Sequence, residues 1–410
     1  MSTDLMLKPA SELAMLIKSR ETSARELLDE AIARYEIFNP TVNAITEIRI
    51  EIARTRALAA DEATAQGESW GPFHGLPVTI KEAYDWVGTP STWGNPEWIN
   101  NFPDTDSAAV ERLLGAGAVI WAKTNVPYML ADWQSFNDLY GCTNNPWDLD
   151  RTPGGSSGGS AVSLATGMAA LEIGSDIGAS IRNPAHYCGV FGHKPTMDLI
   201  PQQGHAAPGV ETVIDIAVVG PLARSAMDLD VALSVLAGPT GLDAAGYRVD
   251  LPNPTRESLD EYRVGVLLDT PACKTATPLI DHLQNTVDQL AGLGVQVAGV
   301  SPQIDQVEFF ENYLLLLRSA MGVLIDDEAC ELALTGHEAW ERGERTYRNL
   351  VDHGAHLTHR EWFALHQQRE RYRQQWAAYF DEFDLLLCPA AASTAFPHDH
   401  EGERPDRTIE

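Results

Sequence analysis

The sequence predicts an α/β protein. Short apolar runs of strand length alternate with helix-length segments through the first half of the chain. The clearest strands are Gly75-Leu-Pro-Val-Thr-Ile-Lys81 and Ala118-Val-Ile-Trp-Ala122, with a helix around Ser107 to Leu114 between them. A Gly/Ser loop at 154–160 then feeds the alanine-rich run Ala161–Ala170, whose small side chains let a helix approach a sheet closely.

The remaining elements follow in order. Residues 10 to about 65 read as helical. Ser23-Ala-Arg-Glu26 is a capping box ahead of Leu27, Leu28, Ala31 and Ile32, which recur at helical spacing. Pro40 is expected to interrupt that pattern. Beyond about 240 the texture changes. Arg263–Leu268 reads as a strand, Leu279–Leu293 as a helix and Val295–Val300 as a strand. Residues 306–383 read as long helices rich in Glu, Arg, Gln and Trp, and Asp384–Pro389 as a final buried strand. Neither an internal repeat nor a low-complexity linker is visible.

Length and composition bound the function. A chain of 410 residues exceeds what one core usually supports, so one large domain or two are expected. Hydrophobic content of 44% with 21% charged residues is that of an ordinary soluble protein. No apolar run is long enough to cross a bilayer, and the N-terminus lacks a basic head followed by an apolar stretch, so a cytoplasmic location is expected. The net charge of -29 repels phosphate backbones and argues against direct nucleic-acid binding. Cys142, Cys188, Cys273, Cys330 and Cys388 are widely and irregularly spaced, without a CxxC pair. They suggest neither a zinc site nor a disulfide framework, and most are expected to be buried thiols.

The chemistry concentrates in two loops. Arg151-Thr-Pro-Gly-Gly-Ser156-Ser157-Gly-Gly-Ser160-Ala161 and Gly174-Ser-Asp176-Ile177-Gly178-Ala179-Ser180-Ile-Arg182 place serines on backbone that bends freely. A serine hydroxyl needs a base to become a nucleophile. His74, His186, His193 and His205 lie near these loops in sequence, but none has an acidic partner at a suggestive spacing, and each reads as a core or surface histidine. Lysine serves as base when burial lowers its pKa. Lys81 ends an apolar strand, the setting that does this, although taken alone it reads more readily as a lysine reaching solvent from a strand end. A nucleotide-binding loop is the competing reading of the Gly/Ser run, but no lysine follows its glycines as a P-loop requires.

Five ordered segments sharpen the choice. They are Gly75-Leu-Pro-Val-Thr-Ile-Lys81-Glu82, Gly141-Cys-Thr-Asn-Asn-Pro-Trp-Asp148, Pro153-Gly-Gly-Ser-Ser-Gly-Gly-Ser-Ala161, Gly174–Pro184 and Gly192-His-Lys-Pro-Thr196. Together they resemble the amidase signature family, densely from about 70 to 240 and more loosely on either side. The resemblance implies a central mixed β-sheet flanked by helices on both faces. It divides the chain into an N-terminal helical region (1–65), the signature core (66–240) and a remainder of the same large domain (241–410). It also implies that the family's usual C-terminal segment is absent here.

Carried over residue by residue, the resemblance makes Ser180 the nucleophile, Ser156 a bridging serine preceded by a cis peptide bond, and Lys81 the base behind it. The oxyanion donors would be backbone N–H groups at Ile177, Gly178, Ala179 and Ser180. Of the supporting residues, Ser157 reads equally as a hydrogen-bond donor to the relay or as loop packing, and Asp176 and Arg182, of opposite charge on either side of Ser180, read as a structural ion pair. Ala179 stands where a second glycine is usual, which matters if that residue needs a positive φ. Tyr128, Trp133 and Phe136 are candidates for an apolar acyl pocket, with core packing the stronger reading for any one of them. Lys123 also ends a strand but has no serine loop in register. The implied reaction is amide hydrolysis with no metal or organic cofactor, on a small-molecule substrate, without membrane binding, and with a homodimer left open. The alternative is a partner-dependent or inactive protein resembling the A subunit of glutamyl-tRNA amidotransferase.

Overall fold

Ser23 accepts a hydrogen bond from the Glu26 N–H and Glu26 returns one to the Ser23 N–H, so the expected capping box starts a helix. In the computed structural model, which describes residues 5–409, that helix is α2 (Ala24–Val42), preceded by α1 (Ala10–Ser19). Pro40 does not interrupt α2. It lies in the last turn, close to where the helix ends at Asn43 in the left-handed conformation. The stretch to residue 65 is not wholly helical either. A short strand, β1 (Ile45–Ile48), separates α2 from α3 (Ile50–Gln66). Its brevity and mixed burial left no alternating pattern to read.

The described residues form two compact units. The first spans residues up to 213 together with 217–251 and 395–398. Its strands are β1, β2 (Pro77–Lys81), β3 (Val119–Thr124), β4 (Phe136–Asn137), β5 (Gly141–Cys142), β6 (Leu171–Asp176), β7 (Phe191–Gly192) and β8 (Val218–Ala223). Six of them build a mixed sheet in the order β1-β3-β2-β6-β8-β7, while β4 and β5 make a separate pair. β2 is parallel to both neighbours, β3 and β6, and β8 is antiparallel to β6 and β7. Every residue of β2, β3, β6 and β8 is buried. That explains the near-continuous apolar runs of β3 and β8.

Helices α2, α3, α4 (Ala108–Gly115), α5 (Gly158–Ala165) and α7 (Ala226–Leu236) supply the apolar partners of this sheet. Ser107 caps α4 as its position suggested. The helix after the Gly/Ser loop is shorter than the alanine run, because residues 166–170 turn into β6 instead of continuing it. Gly159 is required at the start of α5, since a Cβ there would lie 2.4 Å from the Asn125 nitrogen. Two short helices complete the unit, α6 (Arg182–Cys188) and α8 (Asp243–Gly246). Asp228 of α7 accepts the Ala10 and Ser11 N–H groups at 2.9 and 2.8 Å and so satisfies the first turn of α1.

The second unit comprises residues 214–216, 252–394 and those after 398. Its strands form a sheet separate from the six-stranded one. β9 (Arg263–Val266), β10 (Gln296–Ala298) and β11 (Leu385–Leu387) make a parallel sheet of their own, with β9 in the middle. β11 is not the buried strand its sequence suggests, for Leu385 is 50% exposed. Helices α9 (Thr277–Gly292), α10 (Gln306–Gly322), α11 (Asp327–Glu341), α12 (Tyr347–Ala355) and α13 (His359–Glu382) account for the helical stretch expected at 306–383 and the one before it. The cysteines also differ from expectation. Only Cys188 is buried, while Cys273 and Cys388 are exposed. No helix among the described residues is long and apolar enough to cross a membrane.

Candidate active site

β2 and β6 run parallel in register, Thr79 opposite Glu172 and Ile80 opposite Ile173. Their C-terminal ends therefore emerge side by side, where α/β sheets place their sites. Lys81 is the last residue of β2 and Asp176 the last of β6. Lys81 is fully buried. Its Nζ lies 2.7 Å from Ser156 Oγ and 2.9 Å from Ser175 Oγ. Burial lowers its pKa from the usual 10.5 to about 7, against the opposing pull of Asp176, Glu172 and Glu82.

Ser156 follows a cis peptide bond from Gly155. Ser157, next to it, links the two serine loops. Its N–H donates to the Ser180 carbonyl at 3.1 Å and its hydroxyl to the Ser175 carbonyl at 3.3 Å. Ser180 is 5% exposed, and its hydroxyl makes no hydrogen bond among the described residues. The structure thus brings Lys81, Ser156 and Ser175 into direct contact and ties Ser180 to them through its backbone.

Asp176 organises the loop that carries Ser180. Its carboxylate accepts N–H groups from Ala179 at 2.9 Å and Ile181 at 3.0 Å, and it pairs with Arg182 through Nε at 3.0 Å and Nη2 at 2.8 Å. Burial alone would raise its pKa. The Arg182 guanidinium and the backbone donors outweigh that and hold it below the usual carboxylate value. One expected oxyanion donor is occupied as a result. The Ala179 N–H is engaged by Asp176, which takes it out of the set of Ile177, Gly178, Ala179 and Ser180. Ala179 also adopts φ 76°, the conformation for which glycine is the usual choice.

Four residues escaped the sequence reading. Ser175 is the second hydroxyl on Lys81. Tyr84 donates its hydroxyl to the Gly174 carbonyl at 2.6 Å and fixes β6 beside the lysine. Glu82 is buried and receives the Thr92 and Trp93 N–H groups at 2.7 and 2.9 Å. Glu172 is buried in β6, with the Thr124 hydroxyl donating to it at 2.6 Å. Burial raises its pKa to about 7 despite that bond and the nearby lysine. A carboxylate between Leu171 and Ile173 in an apolar strand was the available signal.

Other candidates separate from the cluster. Lys123 is buried, but it donates to the Pro90 carbonyl at 2.6 Å and to Ser91 Oγ at 3.2 Å rather than to either signature serine. Burial pushes its pKa down to about 8. His205 packs its ring against Tyr84 with centroids 4.6 Å apart, and burial, with Lys81 nearby, lowers its pKa to about 3. Burial thus favours its neutral form, and its ring lies tilted at 54° to that of Tyr84. Trp133 is 44% exposed and donates its indole N–H to the Gly178 carbonyl at 2.7 Å, so core packing does not describe it.

Residues 26–409 match the Amidase family. The chain belongs to that family. The A subunit of glutamyl-tRNA(Gln) amidotransferase from Synechococcus sp. (strain CC9902) is 32% identical over 93% of this chain and 81% of its own length. A solved structure of an amidase is 29% identical with a TM-score of 0.75, covering 95% of this chain and 83% of that one. A bacterial aryl acylamidase of the amidase signature enzymes shares the fold at a TM-score of 0.79 and 24% identity, over 96% of this chain and 81% of that one. The Amidase match includes every residue of the lysine–serine cluster.

Proposed function

We propose that this member of the Amidase family hydrolyses a carboxylic amide to carboxylate and ammonia or amine through an acyl-enzyme on Ser180. The observation that carries the reading is the 2.7 Å contact between a fully buried Lys81 amine and Ser156 Oγ. With its pKa lowered to about 7, a substantial fraction of that amine is neutral at physiological pH and able to accept a proton.

In the proposed sequence of steps that contact is the last link of a proton path. Ser180 Oγ attacks the amide carbonyl carbon while its proton passes to Ser156 Oγ, and the Ser156 proton passes to Lys81 Nζ. The Gly178 and Ser180 N–H groups stabilise the oxyanion. Collapse of the intermediate breaks the carbon–nitrogen bond, and the leaving nitrogen takes the proton back through Ser156. Water then repeats the route and releases the acid. The Ser156-to-Ser180 bond forms as substrate enters, since such contacts are commonly loose in unliganded enzymes.

The decisive experiment is labelling of the purified chain with a fluorophosphonate probe. Labelling that disappears in Ser180→Ala supports the proposal. A folded sample that never labels and turns over no amide overturns it. The similarity to the glutamyl-tRNA(Gln) amidotransferase chain favours a second reading, a protein that works on amides only with partners. In that case the isolated chain releases no ammonia from glutamine or from a panel of aliphatic and aryl amides. The net charge of -29 then requires a partner to make any RNA contact.

A further inference from the structure

Residues 132–135 run between the two serine loops and touch both. A Cβ at Gly155 would lie 2.5 Å from the Asp132 carbonyl oxygen, so glycine is needed where this segment meets the turn before Ser156. Ser135 Oγ donates to the Gly154 carbonyl at 3.0 Å and accepts the Gly158 N–H at 3.2 Å. The Thr152 hydroxyl donates to the Trp133 carbonyl at 3.3 Å. On the other side, Trp133 Nε1 donates to the Gly178 carbonyl at 2.7 Å.

That carbonyl belongs to the peptide whose N–H is Ala179's, and the same N–H donates to Asp176 Oδ1 at 2.9 Å. The Gly178–Ala179 peptide is therefore gripped at both ends. The grip matters because Ala179 is held at φ 76°, a conformation that an L-residue leaves readily. A rotation of this peptide would swing the N–H groups on either side of it. Trp133 is 44% exposed, so burial of the ring does not by itself account for its placement.

We propose that Trp133 is a positioning residue for the nucleophile loop. Its indole N–H fixes the Gly178–Ala179 peptide and thereby aims the Gly178 and Ser180 N–H groups at the developing oxyanion. This rests on the reading of Ser180 as nucleophile. It assigns the tryptophan a role in the transition state rather than in binding.

The test replaces Trp133 alone with benzothienylalanine, which keeps the bicyclic shape and lacks the N–H, beside Trp133→Phe. Turnover of an anilide and of a straight-chain primary amide is measured with each. The expected result is a fall in kcat of roughly five- to tenfold for both substrates. KM should stay within about twofold, since the oxyanion contacts that this hydrogen bond aims act only in the transition state. Fluorophosphonate labelling of Ser180 should slow by the same factor. An isostere with parental kcat and labelling rate overturns the proposal. So does a rise in KM confined to the anilide, which would assign the ring to substrate contact. A parent protein that neither labels nor turns over amides would instead sink the assignment of Ser180, and this proposal with it.

Discussion

The Ala179 N–H donates to Asp176 Oδ1 at 2.9 Å while Ala179 itself stands at φ 76°. The carboxylate holds the residue where its own Cβ disfavours it. An L-residue in this region costs roughly 1–2 kcal/mol. Glycine removes that cost but returns about 0.4–1 kcal/mol through the greater freedom of the unfolded chain. Ala179→Gly should therefore stabilise the protein by about 0.5–1 kcal/mol. The urea midpoint should rise with the slope unchanged. A lower midpoint would mean that packing of the alanine methyl outweighs its backbone strain.

Much of this site was legible because the motif lies on short, buried strands with loops at their ends. Lys81 could be placed from the apolar run before it, and the Gly/Ser loop from its own composition. Ser175 could not, because its importance comes from which face of β6 meets Lys81, and register across a parallel pair leaves no local mark. The strand β1 was hidden for a related reason, and so was the pairing of β9, β10 and β11, each read as a strand, into a sheet of their own. A strand of four residues with mixed burial, as β1 is, shows neither alternation nor a continuous apolar run. The occupied Ala179 N–H was invisible because a loop's hydrogen bonds depend on its dihedral angles, and sequence gives only permission for those.

The lowered pKa of Lys81 predicts a pH profile. In the proposed mechanism the neutral amine is the active form, and its fraction rises as pH increases through about 7. kcat/KM for an uncharged amide should therefore climb from pH 6 and level off about one unit above that pKa. An ordinary lysine would place the same limb near 10.5. A rate that is flat from pH 6 to about 9 would remove Lys81 as the base.

Glu172 sets a second pH test. Its negative charge raises the Lys81 pKa, opposing the effect of burial. Removing that charge in Glu172→Gln should lower the lysine pKa further and move the rising limb of kcat/KM toward acid pH. Glu172 itself titrates near 7, so the displacement should be clearest on the alkaline side of the limb, where the parental carboxylate is ionised. A limb that does not move would show that Glu172 is neutral throughout and serves only to bond Thr124.

The Lys81–Ser156 contact predicts an order among the site variants. Ser180→Ala should abolish covalent labelling, because the proposed mechanism takes its attacking oxygen from Ser180 alone. Lys81→Met keeps much of the buried volume while removing the base, and should slow labelling by about 10²–10⁴-fold with the fold retained. Ser156→Ala should cost less, roughly 10–10²-fold, since water can occupy the space beside Lys81 and carry the proton in its place. The two relay residues act as one unit, so the double variant should label no more slowly than Lys81→Met alone. Stopped-flow labelling, with circular dichroism to check folding, measures all four. Effects that multiply in the double variant would mean that Lys81 and Ser156 act independently, and the proton path drawn through their 2.7 Å contact would have to be abandoned.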